Sequence, residues 1–292
     1  MSFKSLIQDL RGVRISSTSN FQLSTKALLI DQISHPIDGD MKQLFYKYAE
    51  ENDFIRKFQN IVIGEICNFT EKKSVTHFKY KDRSEESFIE DQTKIIALAD
   101  KIKKNYKRVF IFGIGGSNLG SALMNDIFKK DDFNIIFITG SDPDEYSDIK
   151  IQDSDALVIS SKSFGTLETL SSYKEVCGNN FFEQTYAITA DANQAKDFGV
   201  HEKNIISFNS STGGRFSIWS PINLALCLLE GDQGYKDFLS GGKDVDVACL
   251  NNPENNPAFQ LSAQDIIYNN ILDAETTLVV NYDYKLRNFI SF

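Results

Sequence analysis

Positive charge in excess is the first thing this sequence lacks. Its 31 lysines and arginines stand against 40 aspartates and glutamates, for a formal net charge of -9 at pH 7. Neutralising a nucleic-acid backbone needs a basic face, so no nucleic-acid partner is expected, and an anionic membrane surface is disfavoured with it. Any phosphate bound here is a single small one, held by dipoles and a few chosen cations. Long hydrophobic runs are missing too. The longest apolar stretches, such as "LALCLLE", fall well short of a membrane span, and "MSFKSLIQDLRG" at the N-terminus lacks the apolar core of a signal peptide. The expectation is a soluble, cytoplasmic protein with no membrane partner.

Paired metal ligands and cysteine motifs are absent as well. The four cysteines, Cys67, Cys177, Cys227 and Cys249, are far apart and form no C-x-x-C, so buried free thiols in a reducing compartment are expected. Of the three histidines, His35 precedes a proline in an expected loop, His77 sits in "NFTEKKSVTH", and His201 lies in a connection. None is paired at metal-ligand spacing, which leaves them structural or solvated. No low-complexity segment or short-period repeat is present.

What is present is globular: 41% hydrophobic and 24% charged residues over 292 positions. That length exceeds one ordinary core and suggests two domains, or one domain and part of another. The first eighty or so residues read as helices and turns. Leu44, Phe45, Tyr48, Phe54 and Phe58 fall at helical spacings. In the next segment Ser84 is a candidate N-cap, and Phe88, Ile95, Ile96, Ala99 and Ile102 form one expected buried stripe. From Lys107 the pattern alternates between strands and helices. The strands are "RVFIFGI", "FNIIFITG", "DALVISS", "TYAITAD" and "NIISFN". The intervening helices run from about Leu119 to Phe128 and through "GTLETLSSYKEV" and "ANQAKDFG". Continuous apolar strands alternating with helices imply a parallel sheet covered on both faces, with its strand-ending loops gathered on one rim. Beyond it, "RFSIWSPINLALCLLEG" reads as a buried helix stopped by Gly231, followed by two more helices. "TTLVVNYDY" then opens an expected new strand, and "KLRNF" an expected helix.

Three stretches carry chemistry. In "GIGGSNLG", Gly113 and Gly115 fit a dinucleotide fingerprint, but Asn118 takes the third glycine's place and Gly120 comes two residues late. Asp142 ends the next strand, where a ribose-binding acid would be. A P-loop needs a lysine and a hydroxyl where Ser121 and Ala122 stand. What remains is close backbone approach at Gly115 and Gly116, a hydroxyl at Ser117 and the positive end of a helix. Alone, this loop is equally a phosphate cradle or a tight turn. In "VISSKSFGTLETL" a strand ends in Ser160, Ser161, Lys162 and Ser163, and Phe164-Gly165-Thr166 opens a helix. An N-cap needs one hydroxyl, and Thr166 with Thr169 would suffice. Four hydroxyls and converging N–H groups fit a phosphate monoester better. In "STGGRFSIWS" two glycines precede Arg215, whose permanent guanidinium suits an oxyanion in a negative transition state and cannot serve as a base. Trp219 is assigned to packing.

Together these stretches resemble the phosphoglucose isomerase family, with its two sugar-isomerase (SIS) domains. "NFTEKKSVTH" is similar to the family's N-T-E-x-R-x-V-x-H segment, with Lys73 for the arginine, and the motifs occur in order from about Asn68 onwards. The resemblance implies an α/β fold: a SIS-type, Rossmann-like three-layer sandwich with a helical N-terminal segment (1–84), a first SIS domain (85–238) and the start of a second (239–292). It implies interconversion of glucose 6-phosphate and fructose 6-phosphate, with no cofactor or metal. By the same resemblance Gly116 and Ser117 contact the sugar phosphate. Ser161, Ser163 and Thr166 bind its phosphate through hydroxyls, helped by N–H groups from Lys162, Ser163, Phe164 and Gly165. Arg215 stabilises the cis-enediolate. The departures are Ser163 and Gly165 for threonines, Leu167 for a glutamine, and Asn118 where an aspartate is common. The family's proton-shuttling glutamate, and the histidine and lysine associated with ring opening, lie downstream of the segment resembling "YDYKLRNF". This chain is therefore expected to lack its general base and to be the N-terminal part of a longer, homodimeric enzyme. The alternative is a non-catalytic sugar-phosphate-binding module.

Overall fold

The computed structural model describes the chain except for residues 15–18, 25–28, 36–38, 68, 71, 131, 141 and 179, and the side chains of 19–21, 23 and 32–35. Asn68 and Glu71 of the "NFTEKKSVTH" segment thus lie outside the described residues. The chain divides into two compact units, Met1–Phe78 with Ser240–Val279, and Lys79–Leu239 with Val280–Phe292.

The first unit opens with α1 (Phe3–Arg11), whose N-cap Ser2 accepts a hydrogen bond from the Ser5 N–H. Two antiparallel strands follow, β1 (Ser19–Ser24) and β2 (Leu29–His35), and then α2 (Gly39–Glu51) and α3 (Phe54–Val62). The hairpin corrects the all-helical expectation. Its strands are short and polar, and apolar residues alternate over too few positions to register as a period of two. His35 closes β2 and does not lie in a loop. Cys67 is exposed, against the expectation that the thiols are buried, while Cys177 and Cys227 are buried; none of the four forms a disulfide.

Within the chain's second half of elements, α4 (His77–Asp82) and α5 (Glu86–Asn105) lead into the sheet. Phe88, Ile95, Ala99 and Ile102 are buried on α5 as its spacing requires. Glu85, not Ser84, occupies the N-cap position; the Ser84 hydroxyl turns back to Asp82 at 2.8 Å. The sheet comprises β3 (Arg108–Phe112), β4 (Asn134–Ile138), β5 (Asp155–Ser160), β6 (Thr185–Thr189) and β7 (Ile205–Ser207). All are parallel, in the order β4-β3-β5-β6-β7. Between them run α6 (Leu119–Phe128), α7 (Leu167–Cys177) and α8 (Ala192–Phe198). After β7 come α9 (Leu224–Ala248) and α10 (Pro257–Asn270).

Alternation along the strands divides the core in two. Val109, Ile111, Ala156, Val158, Tyr186 and Ile188 face one way, among residues of α5, α6 and α9. Phe110, Phe112, Leu157, Ile159 and Ala187 face the other, among residues of α7 and α8. Strands covered on both faces are why these runs read as continuously apolar. At the strands' N-terminal ends, Asp155 is 1% exposed and takes two hydrogen bonds from Arg108, at 2.7 and 2.9 Å. The first unit has its own core, with Leu6 and Leu10 against Met41, Phe45, Phe259 and Ile267.

Gly231 stops the first helical stretch of α9 as expected: its positive φ of 67°, which glycine tolerates, separates it from a second stretch that follows directly. The strand expected in "TTLVVNYDY" is absent among the described residues, and only a 3-10 turn, Tyr284–Leu286, replaces the helix expected in "KLRNF". β-branched composition favours a strand, but without a neighbouring strand the ladder cannot form. Leu278 and Tyr282 are 86% and 98% exposed.

Candidate functional site

The strand order creates a particular place on the rim. From β3 the chain passes to β4 on one side, then returns to lay β5 against β3 on the other. The loops after β3 and β5 therefore diverge, leaving a crevice between them, and open parallel sheets bind ligands at such a switch point. The first of these loops is the glycine stretch and the second is the serine stretch.

The glycine loop leaves β3 at Gly113, makes a 3-10 turn over Gly115–Ser117 and enters α6. Gly115 adopts φ 53°, which glycine permits. A Cβ on Gly113 would fall 2.8 Å from the Ser160 carbonyl oxygen, so the two loops meet backbone to backbone at their bases. The Ser160 hydroxyl also donates to the Ser117 carbonyl at 3.3 Å. Asn118 is buried, and its side-chain oxygen has no hydrogen-bond partner among the described residues.

The serine loop is held from below. Ser161 donates its N–H to Ile188, while the Lys162 carbonyl accepts from the Ala190 N–H at 2.9 Å and the Thr189 hydroxyl at 3.2 Å. Phe164 is its anchor: 1% exposed, in the left-handed region at φ 50°, with its ring edge-on to Phe198 at 5.7 Å. A bulky residue holds that conformation only where packing over-determines it. The Phe164 side chain thus faces the core, leaving only its backbone at the loop. Even there the N–H donates to Ser161 at 3.2 Å, and the Gly165 N–H donates to the Ser163 hydroxyl at 3.3 Å. Two of the N–H groups expected to serve a phosphate are therefore turned into the loop.

The hydroxyls behave differently. Thr166 occupies the N-cap position of α7, yet its side chain makes no capping bond and stands 3.2 Å from the Ser161 hydroxyl. Thr169 is 1% exposed, with its hydroxyl oxygen unpartnered among the described residues. Neither hydroxyl is used as a helix cap. Ser163 is exposed at the loop's tip. Beside the loop, Asp191 caps α8, and the Gln194 backbone N–H, then its side-chain amide, hold the carboxyl below its usual range.

The arginine loop closes the third side. It makes a 3-10 turn over Gly214–Trp219, with Arg215 exposed. Among the described residues the guanidinium forms no hydrogen bond or ion pair. A Cβ on Gly116 would lie 2.6 Å from the Gly214 carbonyl carbon, and one on Gly213 would lie 2.8 Å from Lys162 Nζ. The loop thus touches both of its neighbours. Downstream, the Ser121 hydroxyl donates to Ile222, and Trp219 stacks on Phe238 at 4.6 Å, as its assignment to packing requires. Every residue expected at the site is on one of these converging loops. The approach of Lys162 to Gly213 and the Thr189 clamp were not legible; no local pattern marks them.

Comparison with known proteins bears on this arrangement. A family model described as phosphoglucose isomerase matches residues 31–292. The chain is 26% identical to a glucose-6-phosphate isomerase of Shewanella putrefaciens over 94% of its own length and 57% of the relative's. Identity to one of Stutzerimonas stutzeri is 29%, over 93% and 55%. The crystal structure of a glucose-6-phosphate isomerase from Chlamydia trachomatis superposes with a TM-score of 0.81 at 22% identity, covering 92% of this chain and 58% of that one. The chain spans somewhat more than half the length of the relatives it matches. Among the described residues no helix is long and apolar enough to cross a membrane.

Proposed function

The chain belongs to the phosphoglucose isomerase family, and we propose that its three strand-end loops bind a hexose 6-phosphate and support exchange of glucose 6-phosphate with fructose 6-phosphate. The observation that carries this reading is the convergence of three loops: the glycine and serine loops leave the adjacent strands β3 and β5 where the strand order reverses, and the arginine loop touches both.

In this reading the phosphate monoester sits on the serine loop. Ser161, Ser163 and Thr166 offer hydroxyls, and Lys162 and Ser163 offer backbone N–H groups at the start of α7, with the lysine ammonium close by. Phe164 and Gly165 shape the loop. The sugar lies along Gly116 and Ser117, against their backbone and the Ser117 hydroxyl. Isomerisation moves one proton between C2 and C1 and another between O2 and O1. A base removes the carbon proton, and the pair it leaves forms the C1–C2 double bond as the carbonyl pair moves onto its oxygen. The cis-enediolate collapses as the hydroxyl proton passes from O2 to O1 and the base returns its proton to the neighbouring carbon. Arg215 stabilises the enediolate oxygen and keeps its own proton. The three loops carry hydroxyls, amides and cations, with no carboxylate or imidazole, so the base must come from outside them. A homodimer and a cytoplasmic setting belong to the same proposal.

Calorimetric titration with fructose 6-phosphate and fructose, beside an isomerase assay, tests it. Saturable binding of the phosphorylated sugar alone is expected, weakened about fivefold or more by Ser163→Ala through loss of a hydrogen bond to a charged group. Binding without turnover leaves a sugar-phosphate-binding module. Failure to bind either compound overturns both readings.

A further inference from the structure

The segment that carries Arg215 is gripped at both ends by two consecutive residues of α4. Tyr80 is fully buried, and its hydroxyl donates to the Asp91 carboxylate on α5 at 2.8 Å. The Asn209 backbone N–H, just past the end of β7, lies beside this pair and favours the ionised form of both groups. Asn209 opens the arginine loop with a tight turn: its side-chain oxygen accepts from the Ser211 N–H at 2.9 Å and its carbonyl from the Thr212 N–H at 3.2 Å. At the other end, the Lys81 ammonium lies 4.8 Å from the centre of the Trp219 ring, the last residue of the 3-10 turn. Lys81 is itself 5% exposed.

The upstream grip is distinctive. A carboxylate is an expensive group to bury beside a phenol, and its half-buried position holds its pKa above the ordinary range. A cavity of about 200 Å³ adjoins it, lined by Ser87, Phe88, Asp91, Ser207, Phe208 and Asn209. Phe88 and the β7 end could have met there with apolar side chains alone. Instead the packing ends in a phenol–carboxylate pair beside the backbone from which the arginine loop departs. The downstream end is fixed separately, by Ser220 hydroxyl to Ser217 carbonyl at 2.7 Å and Asn223 amide to Ile218 carbonyl at 3.0 Å.

We propose that Asp91, held by Tyr80, is a positioning residue for Arg215, setting through Asn209 where the guanidinium stands over the sugar. This rests on the assignment of Arg215 to an oxyanion made above. It goes further by naming an acid on another element as the source of that placement. Among the described residues the serine loop's hydroxyls have no hydrogen bond to this pair, and the arginine loop meets the serine loop only at Lys162 beside Gly213. Phosphate affinity is therefore expected to change less than the response to charge at the sugar's other end.

The test compares two ligands that share a phosphate and differ at one end. 6-Phosphogluconate carries a carboxylate where the enediolate charge would develop; sorbitol 6-phosphate carries a neutral hydroxymethyl group. The intact chain is expected to bind the first more tightly, and Arg215→Ala to remove the difference. Asp91→Asn and, more conservatively, Tyr80→Phe are each expected to lower the preference about tenfold, the scale on which small misplacements of a charged group are felt. Affinity for sorbitol 6-phosphate should stay within about twofold, which a general loosening of the fold would not allow. If the intact chain shows no preference, the assignment of Arg215 fails. If it shows one that Arg215→Ala abolishes and Tyr80→Phe leaves whole, the positioning role of the Tyr80–Asp91 pair is overturned.

Discussion

Gly116 and Gly214 lie so close that a methyl group on the first would fall 2.6 Å from the carbonyl carbon of the second. The contact is backbone against backbone, with no side chain able to yield. Gly116→Ala should push the glycine and arginine loops apart, lowering stability by about 1–3 kcal/mol. Sugar-phosphate affinity should fall more than stability, because both loops wall the crevice. Thermal melts with and without fructose 6-phosphate measure the two effects together; a variant stabilised by ligand as well as the parent is would contradict the contact's role.

At the opposite end of the strands, Arg108→Ala should strip the buried Asp155 of its bidentate partner. Asp155 keeps the Gln152 N–H at 2.8 Å, but a buried carboxylate without its cation is costly. Arg108 is partly exposed, so the expected loss is about 2–4 kcal/mol, below the range for a fully buried pair. Urea denaturation gives the number. Ligand affinity under native conditions should be unchanged.

Thiol reactivity should sort by burial. Burial pushes the Cys177 thiol up to about 12 and Cys227 higher still, whereas Cys67 is exposed. With iodoacetamide at pH 8, Cys67 should be alkylated readily, and Cys177 and Cys227 only after unfolding. Peptide mapping by mass spectrometry reads this directly. Rapid native labelling of Cys227 would show that its site opens.

Alkaline pH should unfold the chain within a definite window. Burial, then the hydroxyl of Tyr186, pushes Tyr106 up to about 12, and burial raises Tyr80, Tyr173 and Tyr235 as well. A pKa raised in the folded state means the native protein holds protons that the unfolded chain releases. The stabilisation is full below the ordinary phenol value near 10 and is lost as pH rises through about 12. Tyrosinate absorbance and far-UV ellipticity should change together across that interval. Ionisation of all eleven tyrosines with ellipticity retained would rule this out.

The sheet was legible because each strand is covered on both faces and reads as an apolar run. The glycine loop even placed α6 at its observed bounds, Leu119–Phe128. The β1–β2 pair escaped because short polar strands have little alternation to read. "TTLVVNYDY" misled for the converse reason: composition describes what a strand would accept, while only a neighbour can supply its hydrogen bonds. Of the site, the residue types and their loops were visible. The inward turn of the Phe164 and Gly165 N–H groups depends on a left-handed backbone at Phe164, which nothing in "SKSFGT" announces. Asp91 was invisible for a similar reason: an acid in a helix is ordinary until its partner Tyr80 and its neighbour Asn209 are seen.

The Arg108–Asp155 pair pins the sheet at one end of its strands, and the serine and glycine loops leave from the other. That distance separates changes that act on folding from changes that act on recognition. A change at the pinned end threatens the fold itself, whereas a change at an exposed loop residue such as Ser163 acts mainly on what is recognised. A lineage could revise its ligand there one residue at a time, with the architecture beneath unaffected.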